Sequence, residues 1–273
     1  MSDPLQDPDA PHRAAMAGRE AEDEADAARR ASLAHQAGDG VPHGHGHVRR
    51  PRVVEDSIVR DASPDGRDLI VRYTPNDRSN HWITAISFIL LALSGLAMFH
   101  PAMFWLSALF GGGQWTRILH PFIGLVMFVS FALLAVRFFH HNLLDRDDIQ
   151  WLKQIDEVLV NREENLPEVG RYNAGQKLLF FTMIACLLLL LLSGIVIWRR
   201  YFSFYFPIDV IRFAAVVHAA SAFVLIVGIV IHIYAALWIK GSIGAMVRGT
   251  VTPGWARKHH PRWFREVVKS ERR

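Results

Sequence analysis

Four stretches of this chain contain no Asp, Glu, Lys or Arg: about Trp82–Phe99, Ile118–Leu134, Leu178–Trp198 and Phe213–Ile239. The third includes six consecutive leucines, Leu187 to Leu192. A bilayer core of ~30 Å takes roughly 20 helical residues to cross, and each stretch is near or above that length. An isolated apolar strand in lipid would leave its backbone groups unpaired, so helix is the spanning form to expect. The chain is 51% hydrophobic and 21% charged, and its charges are excluded from these windows. That partition predicts an all-α membrane protein built on a four-helix bundle.

Residues 1–70 are polar, with few aromatics and no long apolar run. Such a segment buries too little surface to offset its chain entropy, which predicts a mostly disordered extension before a membrane domain over 71–273. It has no apolar core suited to a signal peptide, so the N-terminus is expected to stay cytoplasmic. Cys186 is the only cysteine. Disulfide frameworks, cysteine-rich zinc sites, cysteine-ligated clusters and c-type haem attachment are therefore excluded within the chain. The net charge of +4 does not point to nucleic acid, because the basic residues gather at the ends of apolar segments facing lipid headgroups.

Lys and Arg also set the orientation. The loop after the first span carries Arg117, and the loop after the third carries Arg199, Arg200 and Arg212. The loop after the second holds Arg137, Arg146, Lys153, Arg162, Arg171 and Lys177, and the tail from Lys240 onward is richer still. Both termini and the middle loop are therefore expected on the cytoplasmic side of a bacterial inner membrane. Ile149, Leu152, Ile155 and Leu159 recur at helical spacing, which predicts a surface-lying helix over 147–160.

Histidines within spans are costly and mark function by default. His218 and His232 lie 14 residues apart on one predicted helix, nearly four turns, so they share a face and stand ~21 Å apart in depth. His81 opens the first span at the inner side and His120 opens the second at the outer side. Depth pairs His81 with His232 and His120 with His218. Two facing imidazoles at two depths suit two bis-histidine haems, whose filled axial positions restrict them to electron transfer. Gly124, Gly228 and the alanines around His218 leave room for a porphyrin, or serve helix packing alone. Four ligands on two levels cannot close one tetrahedral zinc site. A haem-free transporter or proton channel is the rival from another class, although no carboxylate accompanies the histidines inside the spans. His100, next to Pro101, ranks below His120 as an outer ligand, and the HGHGH run His43–His47 reads as a solvated linker. His140, His141, His259 and His260 read as charge at the lipid surface or as contacts for a partner. Asn173 before the third span has two readings, a helix cap and a polar contact for a ligand.

The segments RSNHW (78–82), SGLAMF, RILHP (117–121), RYNAGQK (171–177), VHAA (217–220), IHIYAALWIKGSI (231–243) and KHHPRW (258–263) follow one another in order. Together they resemble the cytochrome b (gamma) subunits of membrane-bound respiratory formate dehydrogenases, from about Val71 to Val267. The resemblance implies two haem b groups, the inner held by His81 and His232 and the outer by His120 and His218. It implies partners: an iron–sulfur (beta) subunit and a molybdenum or tungsten catalytic (alpha) subunit. Electrons would run from the clusters through the outer and then the inner haem to a quinone, with Asn173, Gly175, Gln176 and His232 at its pocket. A hydrogenase or another molybdenum oxidoreductase is the alternative electron donor. The extension over 1–70 has no counterpart in that resemblance.

Overall fold

A computed structural model describes residues 54–63, 65–159 and 166–272. Most of the expected extension, including the HGHGH run, lies outside the described residues, as does Val160 of the expected surface helix. The chain order is β1 (Ile58–Val59), β2 (Leu69–Val71), α1 (Pro75–Phe99), a 3-10 helix (Pro101–Phe110) and α2 (Gly113–Phe138). There follow α3 (Arg146–Lys153), α4 (Ile155–Leu159), α5 (Ala174–Ile197) and α6 (Ile208–Trp238). The C-terminal part adds α7 (Ser242–Arg248), β3 (Thr250–Val251), α8 (Pro253–His259) and α9 (Pro261–Glu271).

Helices α1, α2, α5 and α6 are each long and apolar enough to cross a membrane. They begin earlier than the uncharged windows, and in α1 and α5 the polar first turn is held by a side-chain cap. Thr74 accepts from the Asp77 amide and the Asp77 carboxylate accepts from the Thr74 amide, a reciprocal box with Pro75 at the first helical position. Asn173 and Gln176 repeat that box at the start of α5, and Asp145 and Asp148 repeat it at α3. Each box satisfies amides that would otherwise be orphaned at a helix start.

Helices α1 and α2 pair along their length as one antiparallel hairpin, and α5 and α6 as a second. The hairpins meet at mid-depth through Met127 and Phe131 of α2, Cys186 and Leu187 of α5, and Leu225 of α6, with Phe88 and Leu91 of α1 packed against them. Leu225 is midway between His218 and His232 in sequence, two turns from each. This apolar layer therefore separates two levels of histidine.

One end of the bundle is capped. β2 pairs antiparallel with β1 on one side and β3 on the other, with Ile70 opposite Ile58 and Val251. Ile70 packs with Ala245, Val251, Ala256, Trp263 and Val267. Residues 54–63 and 65–70, expected within the extension, are thus part of a small structured cap. Its strands are two and three residues long, too short to show a period, and they form only because β3 reaches them from the far end of the chain. Gly249 sits at φ +86 and its carbonyl accepts from the Arg72 and Tyr73 amides at 2.8 and 3.0 Å. A Cβ there would approach the Tyr73 carbonyl to 2.6 Å, so the turn needs glycine.

The expected surface helix divides into α3 and α4 at Gln154. Its protein-facing residues are Asp148 and Trp151, while Ile149 and Ile155 stay exposed. Ile149 and Ile155 thus face away from the protein, and a polar residue anchors the other side. That anchor is an ion pair between Lys177 Nζ and Asp148 Oδ2 at 2.6 Å.

Candidate functional site: two levels of paired histidines

His120 of α2 and His218 of α6 face each other across the two hairpins, with ring centroids 6.3 Å apart and ring planes at 58°. An imidazole nitrogen binds a metal at about 2.0–2.1 Å and a ring centroid lies roughly 1 Å behind it, so two rings sharing one metal have centroids about 6 Å apart. The observed separation fits one metal atom between them. Both outward nitrogens are already engaged. His120 Nδ1 is 2.7 Å from Ser94 Oγ, and His218 Nδ1 is 3.0 Å from Ser193 Oγ. Each ring therefore turns its Nε2 toward the gap.

Gly95 and Gly194 lie beneath these rings. A Cβ on Gly95 would come to 3.5 Å from His120 Cε1, and one on Gly194 to 3.4 Å from His218 Cε1. The sequence-based attention to Gly124 and Gly228 was directed elsewhere. A Cβ at Gly124 would lie 3.9 Å from Leu91, and one at Gly228 3.1 Å from Leu179 of α5, so Gly228 permits close helix packing.

At the capped end, His81 lies near the start of α1 and His232 near the end of α6. His81 Nδ1 is buried and has no hydrogen-bond partner among the described residues. Beside it, Asn80 and Ser130 tie α1 to α2: Asn80 Nδ2 donates to the Ser130 carbonyl at 3.0 Å, and Ser130 Oγ donates to Asn80 Oδ1 at 2.7 Å. His100 is used locally, accepting from the Ala102 amide at 3.2 Å where the 3-10 helix begins.

Both pairs consist of two imidazoles only. Among the described residues, no group of three or more His, Cys, Asp or Glu converges as a metal site. A metal held here would take its remaining ligands from outside the described residues, as haem iron takes four from its porphyrin.

A family model of prokaryotic cytochrome b561 matches residues 72–249, which span all four long helices. The chain belongs to that family. It is an integral membrane cytochrome, and its family implies haem b. It is 56% identical over 204 residues to the formate dehydrogenase cytochrome b556(fdo) subunit of Escherichia coli strain K12, covering 75% of this chain and 96% of that protein. It is 48% identical over 203 residues to the nitrate-inducible formate dehydrogenase cytochrome b556(Fdn) subunit of the same strain, covering 74% and 94%. The formate dehydrogenase cytochrome b556 subunit of Haemophilus influenzae is 46% identical over 202 residues, covering 74% and 85%.

The residues singled out at the start of α5 prove to be a cap. Asn173 Oδ1 accepts from the Gln176 amide at 2.8 Å, and Gln176 Oε1 accepts from the Asn173 amide at 3.0 Å. The box uses the carbonyl oxygens and leaves the side-chain NH2 groups out of it. Gly175 packs against Trp151, whose ring a Cβ would meet at 3.5 Å. The contact of Gly228 with Leu179 fixes the antiparallel register of α5 and α6. Four residues onward, His232 lies level with residues 175–176.

His260 was read from sequence as surface charge and is instead 5% exposed. Its Nε2 accepts from Arg72 Nη2 at 3.2 Å, and its Nδ1–H donates to the Gly170 carbonyl at 2.8 Å. An arginine only donates, so this arrangement requires the neutral ring. Burial, with the Arg72 charge beside it, holds its pKa well below the usual histidine value. Arg72 also stacks over Trp263 at 4.8 Å and Trp255 at 5.2 Å. Arg171 joins this cluster through Glu55 and Asp56, which ties the segment before β1 to the start of α5.

Proposed function

We propose that this chain anchors a formate dehydrogenase in the bacterial inner membrane and delivers its electrons, through two b-type haems held at two depths, to a membrane quinone. The observation that carries this reading is the His120–His218 pair, spaced for one metal and with no further protein ligand among the described residues. The formate dehydrogenase cytochromes among its relatives favour formate over hydrogen as the source of electrons. Their names also favour a cytochrome over a haem-free transporter.

On this reading His120 and His218 hold the outer haem, and His81 and His232 the inner. A haem held between two of these imidazoles would supply one-electron transfer and would offer no open site to oxygen or substrate. The chain excludes water between the levels with Met127, Phe131, Leu187 and Leu225. The capped end is cytoplasmic, because it carries the Lys- and Arg-rich segments. The opposite end receives an iron–sulfur subunit, itself joined to a molybdenum or tungsten catalytic subunit.

Quinone reduction takes two electrons and two protons, which suits the capped, water-facing end. Asn173 and Gln176 present amide NH2 donors there, Gly175 allows close approach, and His232 lies at the same level. The deciding measurement is the reduced-minus-oxidised spectrum and haem content of the purified complex. Two haem b groups per chain are expected, with mainly the outer one lost in His218→Ala and the inner one disturbed in His232→Ala. A colourless parent, or both haems retained in both variants, would refute the assignment.

A further inference from the structure

We infer that Ser94 and Ser193 are positioning residues for the outer imidazole pair: each hydroxyl fixes its ring as the Nδ1–H form and leaves a bare Nε2 lone pair in the gap. This rests on the reading of His120 and His218 as haem ligands.

Proton counting decides the direction of each bond. A serine hydroxyl has one hydrogen. Ser94 Oγ lies 2.7 Å from the Leu90 carbonyl and 3.2 Å from the Leu91 carbonyl. Ser193 Oγ lies 2.5 Å from the Leu189 carbonyl and 3.4 Å from the Leu190 carbonyl. Carbonyl oxygens only accept, so each hydroxyl hydrogen is committed to the preceding turn of its own helix. What each Oγ presents to the histidine is a lone pair. The facing Nδ1 must therefore carry hydrogen and donate. A neutral imidazole has one N–H, so Nε2 is unprotonated. Both serines are buried, 0% and 5% exposed, so neither hydroxyl can exchange this arrangement for water at little cost.

The device occurs twice. Each serine precedes the glycine that lies beneath the same ring, Ser94–Gly95 on α1 and Ser193–Gly194 on α5. Each stands about the same distance ahead of its histidine, 26 and 25 residues. Each hairpin thus brings its own Ser–Gly seat to its own histidine. His81 Nδ1 has no such partner among the described residues, so the device is not a general property of histidines in this bundle.

Donation from Nδ1–H makes a ligating imidazole more basic and fixes its orientation. A more basic ligand favours oxidised iron. Removing a hydroxyl should therefore raise the midpoint potential of the outer haem and free its ligand ring to turn.

The test uses the purified complex with Ser94→Ala, Ser193→Ala, the double variant, and Ser94→Thr with Ser193→Thr. The outer haem is identified as the one lost in His218→Ala. Its midpoint should rise in each Ala variant and further in the double variant. Its low-spin EPR g values should move as the ring planes turn. The inner haem should stay put, and threonine, which keeps the hydroxyl, should restore both signals. Loss of the outer haem in the Ala variants with retention in the Thr variants also supports the assignment. Unchanged midpoint and g values in the Ala variants, equal shifts in both haems, or Thr variants as perturbed as Ala would overturn it. A parent without haem would instead sink the ligand reading on which it stands.

Discussion

Replacing Asp148 with asparagine removes one charge from the ion pair that holds α3 against the start of α5. The Lys177 and Asp148 side chains are 4% and 8% exposed, and their charged atoms meet at 2.6 Å. Removing one partner of a buried pair costs about 3–5 kcal/mol, because the other charge is left without compensation. Lys177 keeps a bond to the Leu143 carbonyl at 3.1 Å and the more distant Asp145 at 4.0 Å. The lower end is therefore expected, about 3 kcal/mol, which is roughly a hundredfold in the unfolding equilibrium. Asparagine can still accept from the Asp145 amide, so the helix cap is not the cause of the loss. Denaturant titration of the detergent-solubilised protein, followed by tryptophan fluorescence, measures it. Pairing Asp148→Asn with Lys177→Met should recover most of the loss, since no buried charge then remains. A loss below about 1 kcal/mol, the range of exposed pairs, or a double variant no better than the single, would refute the reasoning.

Three further outcomes are expected. Gln176→Glu keeps the acceptor of the α5 cap but removes its NH2 donor, so stability should hold while quinone reduction falls several-fold; unchanged turnover would remove the quinone contact. Gly194→Leu adds a side chain under the His218 ring and should eliminate the outer haem, seen as a halved pyridine haemochrome yield with the inner midpoint unaltered. His260 is neutral in the fold and has a depressed pKa, so its contribution to stability is complete above about pH 6.5 and declines as pH falls below that value. Thermal midpoints should thus drop toward pH 5 in the parent, and His260→Asn should start lower and lack that slope. Parallel slopes in the two proteins would contradict this.

The four long helices were legible because charge-free runs of bilayer length have no other stable form in lipid. The meeting of His120 with His218 was legible because a straight helix converts residue number into height. The seats beneath the rings were not found, although the signal was present as a Ser–Gly pair in each of the two spans preceding His120 and His218. Serine in an apolar helix commonly bonds back to its own carbonyls, so only the facing ring distinguishes Ser94 and Ser193 from that ordinary role. The strands near Ile58 and Ile70 were not legible because they are two and three residues long and Val251, which pairs with Ile70 on its other side, is remote in sequence. His260 misled because its neighbours Lys258 and His259 are those of a surface segment, while its burial depends on Trp263 and Arg72.

The layer of Met127, Phe131, Cys186, Leu187 and Leu225 has a consequence for energy conservation. Its side chains offer almost nothing for a chain of water to bond to, and a bare ion within it would meet a steep desolvation barrier. On the proposed reading, electrons would pass the middle of the bundle while protons are held back. The two faces of the bilayer would then stay electrically insulated from each other, and a redox reaction completed across them would leave a voltage behind.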